Sequence, residues 1–227
     1  MSDPRPSRET LAESALAFTA GFVDTCGFIA LFGLFTAHVT GNFVLIGAVA
    51  AGQGHGLLAK LLALPVFVAV VALVRATTRR AGARAARPLL LVQAGLLGAF
   101  AVVGVAATPI GSSDQPLALL AGMTAVAAMA VQNAASRSVF ASLAPTTVMT
   151  GNVTQLTIDL VDLAAGLDLD ARHALLARVR KTWPPIAFFA LGSAAGAASY
   201  LAVGFCFLAV PILTILALAV FCGRKPT

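Results

Sequence analysis

Two side chains in apolar surroundings could carry protons across a membrane. Asp24 lies near the centre of the first long apolar segment, within GFVDT at residues 21–25. An ionisable side chain in the middle of a span is costly and is a functional candidate by default. His38 follows in the next polar stretch, and an imidazole titrates near neutral pH, so it could relay protons or gate. The alternatives are structural: Asp24 bonds a neighbouring helix or caps a broken one, and His38 is an ordinary satisfied polar residue.

The tripeptide Thr-Gly-Asn occurs twice, and the match extends outward as FTAHV before the first copy and PTTVM before the second. Glycine permits close backbone approach, threonine can cap a half-helix that begins after it, and asparagine both donates and accepts hydrogen bonds. Free amide groups at the start of a half-helix favour anionic or polar ligands. The other interpretation is that these residues only satisfy one another. They are Thr40, Gly41, Asn42, Thr150, Gly151 and Asn152.

A second polar pair lies upstream of the second tripeptide. Gln132 and Asn133 interrupt an apolar segment, and Asn133 corresponds to Asp24 when one gap is allowed in the comparison of the two halves. A carboxylate in one half and an amide in the other form an asymmetric pair, in which only the carboxylate can take up a proton. We therefore add both residues to the predicted substrate pathway.

The residue pattern predicts no enzyme, no cofactor and no metal site. No GxSxG, HExxH or P-loop motif occurs, and we find no serine-histidine-aspartate grouping on one membrane face. His55 and His173 are the other histidines, and they fall in segments assigned to opposite sides of the membrane.

The composition is that of an integral membrane protein. Of the 227 residues, 59% are hydrophobic and 11% charged, and the mean hydropathy is +0.93. A soluble domain carries about 25% charged residues. The net charge of +6 does not indicate nucleic-acid binding, because the basic residues lie between apolar segments, where they act as topology signals. The expected partners are the lipid bilayer and an unknown small solute.

Six segments are long and apolar enough to cross a membrane within one domain, residues 1–227. A spanning helix needs about 20 mostly apolar residues. The segments that follow the two tripeptides, Phe43–Ala51 and Val153–Ala165, are too short to span alone. The predicted spans are Ala15–Leu34, Leu57–Val74, Pro88–Ala107, Leu117–Ser136, Pro184–Val203 and Phe205–Cys222.

The basic residues decide whether the tripeptide segments span or re-enter. Residues 76–87 and 166–181 are basic and are predicted to be cytoplasmic loops, whereas residues 52–56 and 108–116 contain no lysine or arginine. If both tripeptide segments re-enter the membrane, the two termini and both basic loops lie in the cytoplasm. If the tripeptide segments span the membrane, the arginines of 76–87 lie outside, against the positive-inside rule. The prediction is an all-α protein with two re-entrant or broken helices. Its residues 11–107 and 117–222 form a three-plus-three inverted repeat, as in many transporters.

Several polar and small residues near the predicted span ends have local interpretations. Residues 167–181 are predicted to form an amphipathic surface helix, with Pro184-Pro185 starting the fifth span. Lys60 is expected to snorkel outward. Asp159 is interpreted as solvated, or paired with Arg137. Gly192 and Gly196 form a small-residue face that could pack within the monomer or join two copies in a homo-oligomer.

The chain resembles the YoaK family of bacterial inner-membrane proteins. The resemblance rests on FVD at residues 22–24, on QNA at 132–134 and on the doubled tripeptide, and it covers about Ala15 to Cys222. The resemblance implies a multi-pass protein of the bacterial inner membrane, but it does not indicate a substrate.

Three functions are consistent with this sequence. The first is a transporter of a small solute, proton-coupled through Asp24 with His38 assisting, whose central site lies between the two tripeptide breaks. The second is a passive channel with two re-entrant half-helices. The third is a non-transporting scaffold or assembly factor.

Overall fold

The computed structural model describes residues 8–147, 149–166 and 169–223, and all regular secondary structure in them is helical. The all-α prediction is therefore confirmed. Short 3₁₀ turns occupy Gly82–Ala85 and Gly204–Leu208. The helices are α1 (Arg8–Ala30), α2 (Gly41–Ala50), α3 (Leu57–Thr78), α4 (Ala86–Ala107), α5 (Pro116–Ser136), α6 (Met149–Ala165), α7 (Leu169–Val203) and α8 (Ala209–Gly223).

Four stretches in the described part of the chain are long and apolar enough to cross a membrane. They are Leu57–Thr78, Ala86–Ala107, Pro116–Ser136 and Asp170–Cys222. The last is too long for one crossing and contains both α7 and α8, which are separated by a 3₁₀ turn that begins at Gly204 with φ +63°. The protein is therefore a multi-pass membrane protein. Helix α1 is not in this set, and it carries Glu9, Glu13 and Asp24.

The predicted cytoplasmic loops are largely helical. Helix α3 continues to Thr78 and α4 begins at Ala86, so that little of 76–87 is irregular. Helix α7 runs without interruption from Leu169 through Pro184-Pro185, so the helix predicted within 167–181 is not separate from the fifth span but continuous with it. Prolines are tolerated inside helices of membrane proteins, so this pair was not a start signal. Residues 167 and 168 lie outside the described residues.

Helices α1 and α7 pack backbone to backbone through three glycines. A Cβ on Gly192 would lie 2.1 Å from the Phe18 carbonyl oxygen, and one on Gly196 would lie 2.5 Å from that of Phe22. On the other helix, a Cβ on Gly21 would lie 2.2 Å from the Phe189 carbonyl oxygen. The two helices run parallel along this contact, since Phe18 lies against Gly192 and Phe22 against Gly196. The face considered for a homo-oligomer through Gly192 and Gly196 is thus taken up inside the chain.

Helices α1 and α5 run in opposite directions. The Gln132 amide donates to the Leu16 carbonyl oxygen at 2.8 Å, whereas Gly122, earlier on α5, lies against Leu31 and Leu34 beyond the end of α1. The bundle therefore has two distinguishable ends. One, which we call the basic end, holds the start of α1, the link from α3 to α4, and Lys181. The other, which we call the far end, holds the end of α1 and the start of α3.

The first tripeptide lies in a segment that starts and finishes at the far end. Lys60 Nζ, on α3, donates to the Phe32 carbonyl oxygen at 2.9 Å and to that of His55 at 2.6 Å. Between these residues the chain turns back along α1 as far as Asp24, and then returns through α2. Lys60 is 2% exposed, so the expectation that it snorkels outward is wrong: its ammonium is satisfied by backbone carbonyls inside the fold.

The second tripeptide segment is held near the basic end in a similar way. Lys181, on α7, donates to the Ser142 carbonyl oxygen, and the Arg178 guanidinium binds Asp159 on α6 in bidentate fashion at 2.7 and 3.0 Å. Asp159 is buried and takes Arg178, not Arg137, as its partner, so the solvated interpretation is also wrong. Ser142 precedes Thr150 by as many residues as Phe32 precedes Thr40.

Candidate functional site

The Asp24 carboxylate organises the turn before the first tripeptide. Its Oδ1 accepts hydrogen bonds from the backbone amides of Thr36 and Ala37, both at 2.7 Å, and from the Thr36 hydroxyl at 3.2 Å. Its Oδ2 lies 2.6 Å from His38 Nδ1. Asp24 is 5% exposed. The structural alternative for Asp24 thus holds, since it secures the end of a broken segment, and the same contacts bring it together with His38.

His38 connects this turn to α7. Its ring packs edge-on against Phe189, with centroids 5.6 Å apart, and against Phe35 at 6.1 Å. The side chain is 36% exposed. No described residue hydrogen-bonds Nε2, so that the imidazole holds Asp24 with one nitrogen and leaves the other free. In general, an imidazole with one free ring nitrogen can take up or release a proton near neutral pH.

Asn42 closes the first tripeptide turn on itself. Its Oδ1 accepts from the Phe35 amide at 3.0 Å, and its Nδ2 donates to the Phe35 carbonyl oxygen at 2.9 Å. With 1% exposure the side chain is buried, and both its donor and its acceptor functions are used by the backbone. This residue therefore shapes the turn, with its amide oxygen and nitrogen both directed at the Phe35 backbone.

Thr40 and Gly41 match their predicted roles only in part. Thr40 occupies the N-cap position of α2 without a capping side-chain bond. The amides of Gly41 and Asn42 are bonded to the carbonyls of His38 and Val39, so the predicted anion site at this helix start is already filled. Gly41 does not have a positive φ; a Cβ there would lie 2.9 Å from the Phe35 ring. Glycine is required for space and not for backbone freedom.

The second tripeptide repeats the asparagine contact in reduced form. Asn152 Nδ2 donates to the Pro145 carbonyl oxygen at 2.7 Å, across the same sequence separation as between Asn42 and Phe35. Proline has no amide hydrogen, so the reciprocal bond is missing. Thr150 lies inside α6 and not at its cap, and nothing lies within 4 Å of where a Gly151 Cβ would be. The cap prediction is therefore right for the position of Thr40, although its side chain makes no capping bond, and wrong for Thr150.

Gln132 and Asn133 hold the turn before the second tripeptide, much as Asp24 holds the first. The Gln132 amide nitrogen donates to the Thr146 hydroxyl at 3.1 Å, and Asn133 Oδ1 accepts from the Thr147 hydroxyl at 2.6 Å. Gln93, on α4, donates to Gln132 Oε1 at 2.7 Å and completes a buried amide network. Gln93 was not among the predicted pathway residues, although a glutamine in the middle of an apolar segment is a usable signal.

Helices α2 and α6 pack against different neighbours. Helix α2 packs against α3, α6 packs against α7, and we find no packed interface between α2 and α6 in the ranges that the structure describes. The two polar networks instead reach α1 at Asp24 and at the Leu16 carbonyl, which are about 12 Å apart along the helix axis. The structure therefore brings Asp24 and His38 together with the first break, and Gln132 and Asn133 with the second, as two sites along α1. No group of three or more metal-ligating side chains occurs in the described residues.

Comparison with known proteins gives a family and no activity. Residues 13–221 match the family model described as protein of unknown function (DUF1275), for which YoaK is the common name, so the predicted resemblance is confirmed. No curated protein matches the chain. No solved structure matches it either.

Proposed function

The chain belongs to the DUF1275 family, whose description assigns no activity, and we propose that it is a proton-coupled membrane transporter of a small solute. One observation carries the proposal. A buried carboxylate, Asp24, holds three successive residues of a broken segment and bonds an imidazole that has a free nitrogen. Buried ionisable groups within membrane helices commonly mark proton relays.

Re-entry of the first tripeptide segment is supported by Lys60. The ammonium binds backbone carbonyls at both ends of residues 32–55, which places both ends on the same side of the bundle. Backbone that departs from regular structure at membrane depth is tolerated where it is buried in protein or lines a water-filled path. On the basis of the positive-inside rule, we assign the basic end to the cytoplasm, so that this segment re-enters from outside and the second one from inside.

An inverted repeat of α1–α4 and α5–α8 is supported by the packing. Helix α1 packs on α7 as α5 packs on α3, and α2 packs on α3 as α6 packs on α7. Likewise α4 packs on α5 as α8 packs on α1. The opposite directions of α1 and α5 make the relation an inverted one, which is the plan of many transporters that alternate access between two sides.

Proton coupling follows from the number of donors that Asp24 holds. An ionised carboxylate can accept hydrogen bonds from the backbone amides of Thr36 and Ala37 and from the His38 imidazole at the same time. Protonation removes the charge that strengthens these bonds, each of which contributes about 1.5–3 kcal/mol when one partner is charged. Uptake of a proton therefore loosens the first segment from α1. Because Asn133 takes the corresponding place in the second half and does not titrate, the two segments respond differently to the same proton.

The test is proton movement in proteoliposomes that contain a trapped pH indicator. Purified protein is presented with sugars, amino acids, organic acids and amines in turn, each with and without an imposed pH gradient. We expect solute-dependent acidification for the wild type, and its loss in Asp24→Asn. The matched control is Asp162→Asn, which removes an exposed carboxylate on α6 and should retain activity.

The rival functions give different results in this assay. A passive channel would show solute flux that survives Asp24→Asn and is independent of the pH gradient. A scaffold would show no flux of any solute class in liposomes that contain folded protein. Either result would contradict proton-coupled transport.

A further inference from the structure

A cavity of about 440 Å³ lies at the basic end between α3 and α5. Phe67, Val71 and Val74 of α3 form an apolar wall, and Asn133 and Ala134 of α5 lie on the other side. From Arg75 back to Phe67 the cavity extends about 12 Å along α3. This volume is within the usual range for small-molecule sites, which runs from about 300 to 1,000 Å³.

Two arginines from different helices face this cavity. Arg75 is in the last turn of α3, and Arg137 follows the last residue of α5. Neither guanidinium has an acidic partner among the described residues, in contrast to Arg178, which binds Asp159. A basic residue at a helix end also serves topology. What distinguishes these two is that they converge, unpaired, on one partly apolar space, where a guanidinium favours carboxylate or phosphate.

The cavity is connected to the second tripeptide segment through Asn133. This residue lines the cavity, and its Oδ1 accepts the Thr147 hydroxyl three residues before Thr150. An occupant beside Asn133 would therefore contact the residue that holds the second turn. At the corresponding place in the first half, the space beside Asp24 is filled by the His38 ring and Phe189.

We infer that the Arg75–Arg137 cavity binds a small amphiphilic anion, a carboxylate or phosphate attached to a short apolar chain. The two guanidinium groups hold the anionic group, and the chain lies along Phe67 and Val71. This site is distinct from Asp24 and His38, and it does not depend on the proposed transport, because binding at equilibrium requires no flux. The same chemistry is offered by a soluble organic anion and by the head and upper chain of an anionic lipid.

The experiment measures binding of radiolabelled octanoate to the full chain in nanodiscs of phosphatidylcholine. We expect saturable binding, with the uncharged octanamide about tenfold weaker or worse as a competitor, since loss of charged hydrogen bonds costs at least this much. Arg75→Gln and Arg137→Gln should each weaken binding by about tenfold or more. Arg79→Gln, an exposed arginine that does not line the cavity, is the matched control and should bind as the wild type does.

A second variant guards against misfolding. Val71→Phe, at a partly exposed position, narrows the cavity while both arginines remain, and it should also weaken binding without lowering the melting temperature. Nanodiscs that contain phosphatidylglycerol separate the two sources of the anion. If the wild type binds octanoate more weakly in these nanodiscs than in phosphatidylcholine, and Arg75→Gln shows no such change, the natural occupant is an anionic lipid. If the wild-type affinity is the same in both, the occupant is a soluble anion. The inference is overturned if octanoate does not bind in either nanodisc, if octanamide competes equally, or if the two arginine variants bind like the wild type.

Discussion

Lys60 donates to the carbonyl oxygen of Phe32 at 2.9 Å, from a side chain that is 2% exposed. The same ammonium also bonds the carbonyls of His55 and Gly56. On the other half of the chain, Lys181 makes the corresponding bond to Ser142 from an exposed position. Two lysines thus hold the two broken segments, but only one of them is enclosed by protein.

This difference predicts unequal effects of removing the two charges. Lys60→Met leaves partly buried carbonyls without their donor and should lower the free energy of unfolding by about 1–3 kcal/mol. Lys181→Met removes an exposed contact and should change the free energy of unfolding by about 0.5 kcal/mol or less. Thermal unfolding in detergent measures both. Equal losses in the two variants would contradict the enclosed role of Lys60.

Asp24 and His38 should behave as one unit. Asp24→Asn should destabilise the protein by about 2 kcal/mol, because a neutral amide accepts the Thr36 and Ala37 amides less strongly. In a double-mutant cycle with His38→Gln, the coupling energy should be about 0.5–3 kcal/mol. The measurement is chemical or thermal unfolding of the four proteins. Additive effects would mean that the 2.6 Å contact carries no energy of its own.

The glycines between α1 and α7 should not tolerate a methyl group. Gly192→Ala places a Cβ 2.1 Å from the Phe18 carbonyl oxygen, and we expect a loss of about 3 kcal/mol or failure to fold. Gly95→Ala in α4 is the matched control, since nothing lies within 4 Å of its added Cβ. It should be neutral, or stabilising by about 0.5–1 kcal/mol. Similar melting temperatures for the two variants would refute the close helix contact.

The Arg178–Asp159 pair should fix α6 to α7. Arg178→Gln should increase hydrogen exchange in α6, whereas Arg180→Gln, which changes a neighbouring exposed arginine, should not. Arg178 holds the pKa of the Asp159 carboxyl below its usual 3.8. The contribution of the pair is therefore present above that pH and is lost only as pH falls through the lowered pKa. A wild-type advantage in melting temperature that vanishes already at about pH 5 would disagree with this sign.

Cysteine labelling from outside the cell tests which end is cytoplasmic. With Cys26, Cys206 and Cys222 replaced, single cysteines are placed at Gln53, near the far end, and at Arg80 and His173, near the basic end. An impermeant maleimide should react in intact cells only at residue 53, because the basic end is assigned to the cytoplasm. Labelling at 80 and not at 53 would reverse the orientation and remove the support for re-entry from outside.

Local patterns predicted some parts of this fold well. The apolar segments, the tripeptide breaks and the isolated Asp24 are all visible because polar residues are costly in an apolar stretch. His38 was predicted to assist Asp24 because it lies beside the first break, and in the structure the two side chains are 2.6 Å apart.

Other parts depend on contacts between distant segments. The Gln93–Gln132 bond joins two helices, and the Lys60 carbonyl contacts depend on how the first break folds back. The continuous α7 contradicted the local signal of two prolines, because helix ends in a packed bundle are set by neighbouring helices as much as by propensity. The packing of α2 on α3 and of α6 on α7 also had no local signal, because it depends on how each break folds back.

The glycine contact between α1 and α7 makes these two helices one closely packed unit. Backbones that touch through Gly21, Gly192 and Gly196 leave no room to slide or rotate without a collision. Asp24 is built on this rigid pair, and Phe189 of the same pair supports His38. The first broken segment is therefore anchored to a rigid pair of helices. The corresponding boundary between α3 and α5 contains a cavity where the α1–α7 boundary contains glycines.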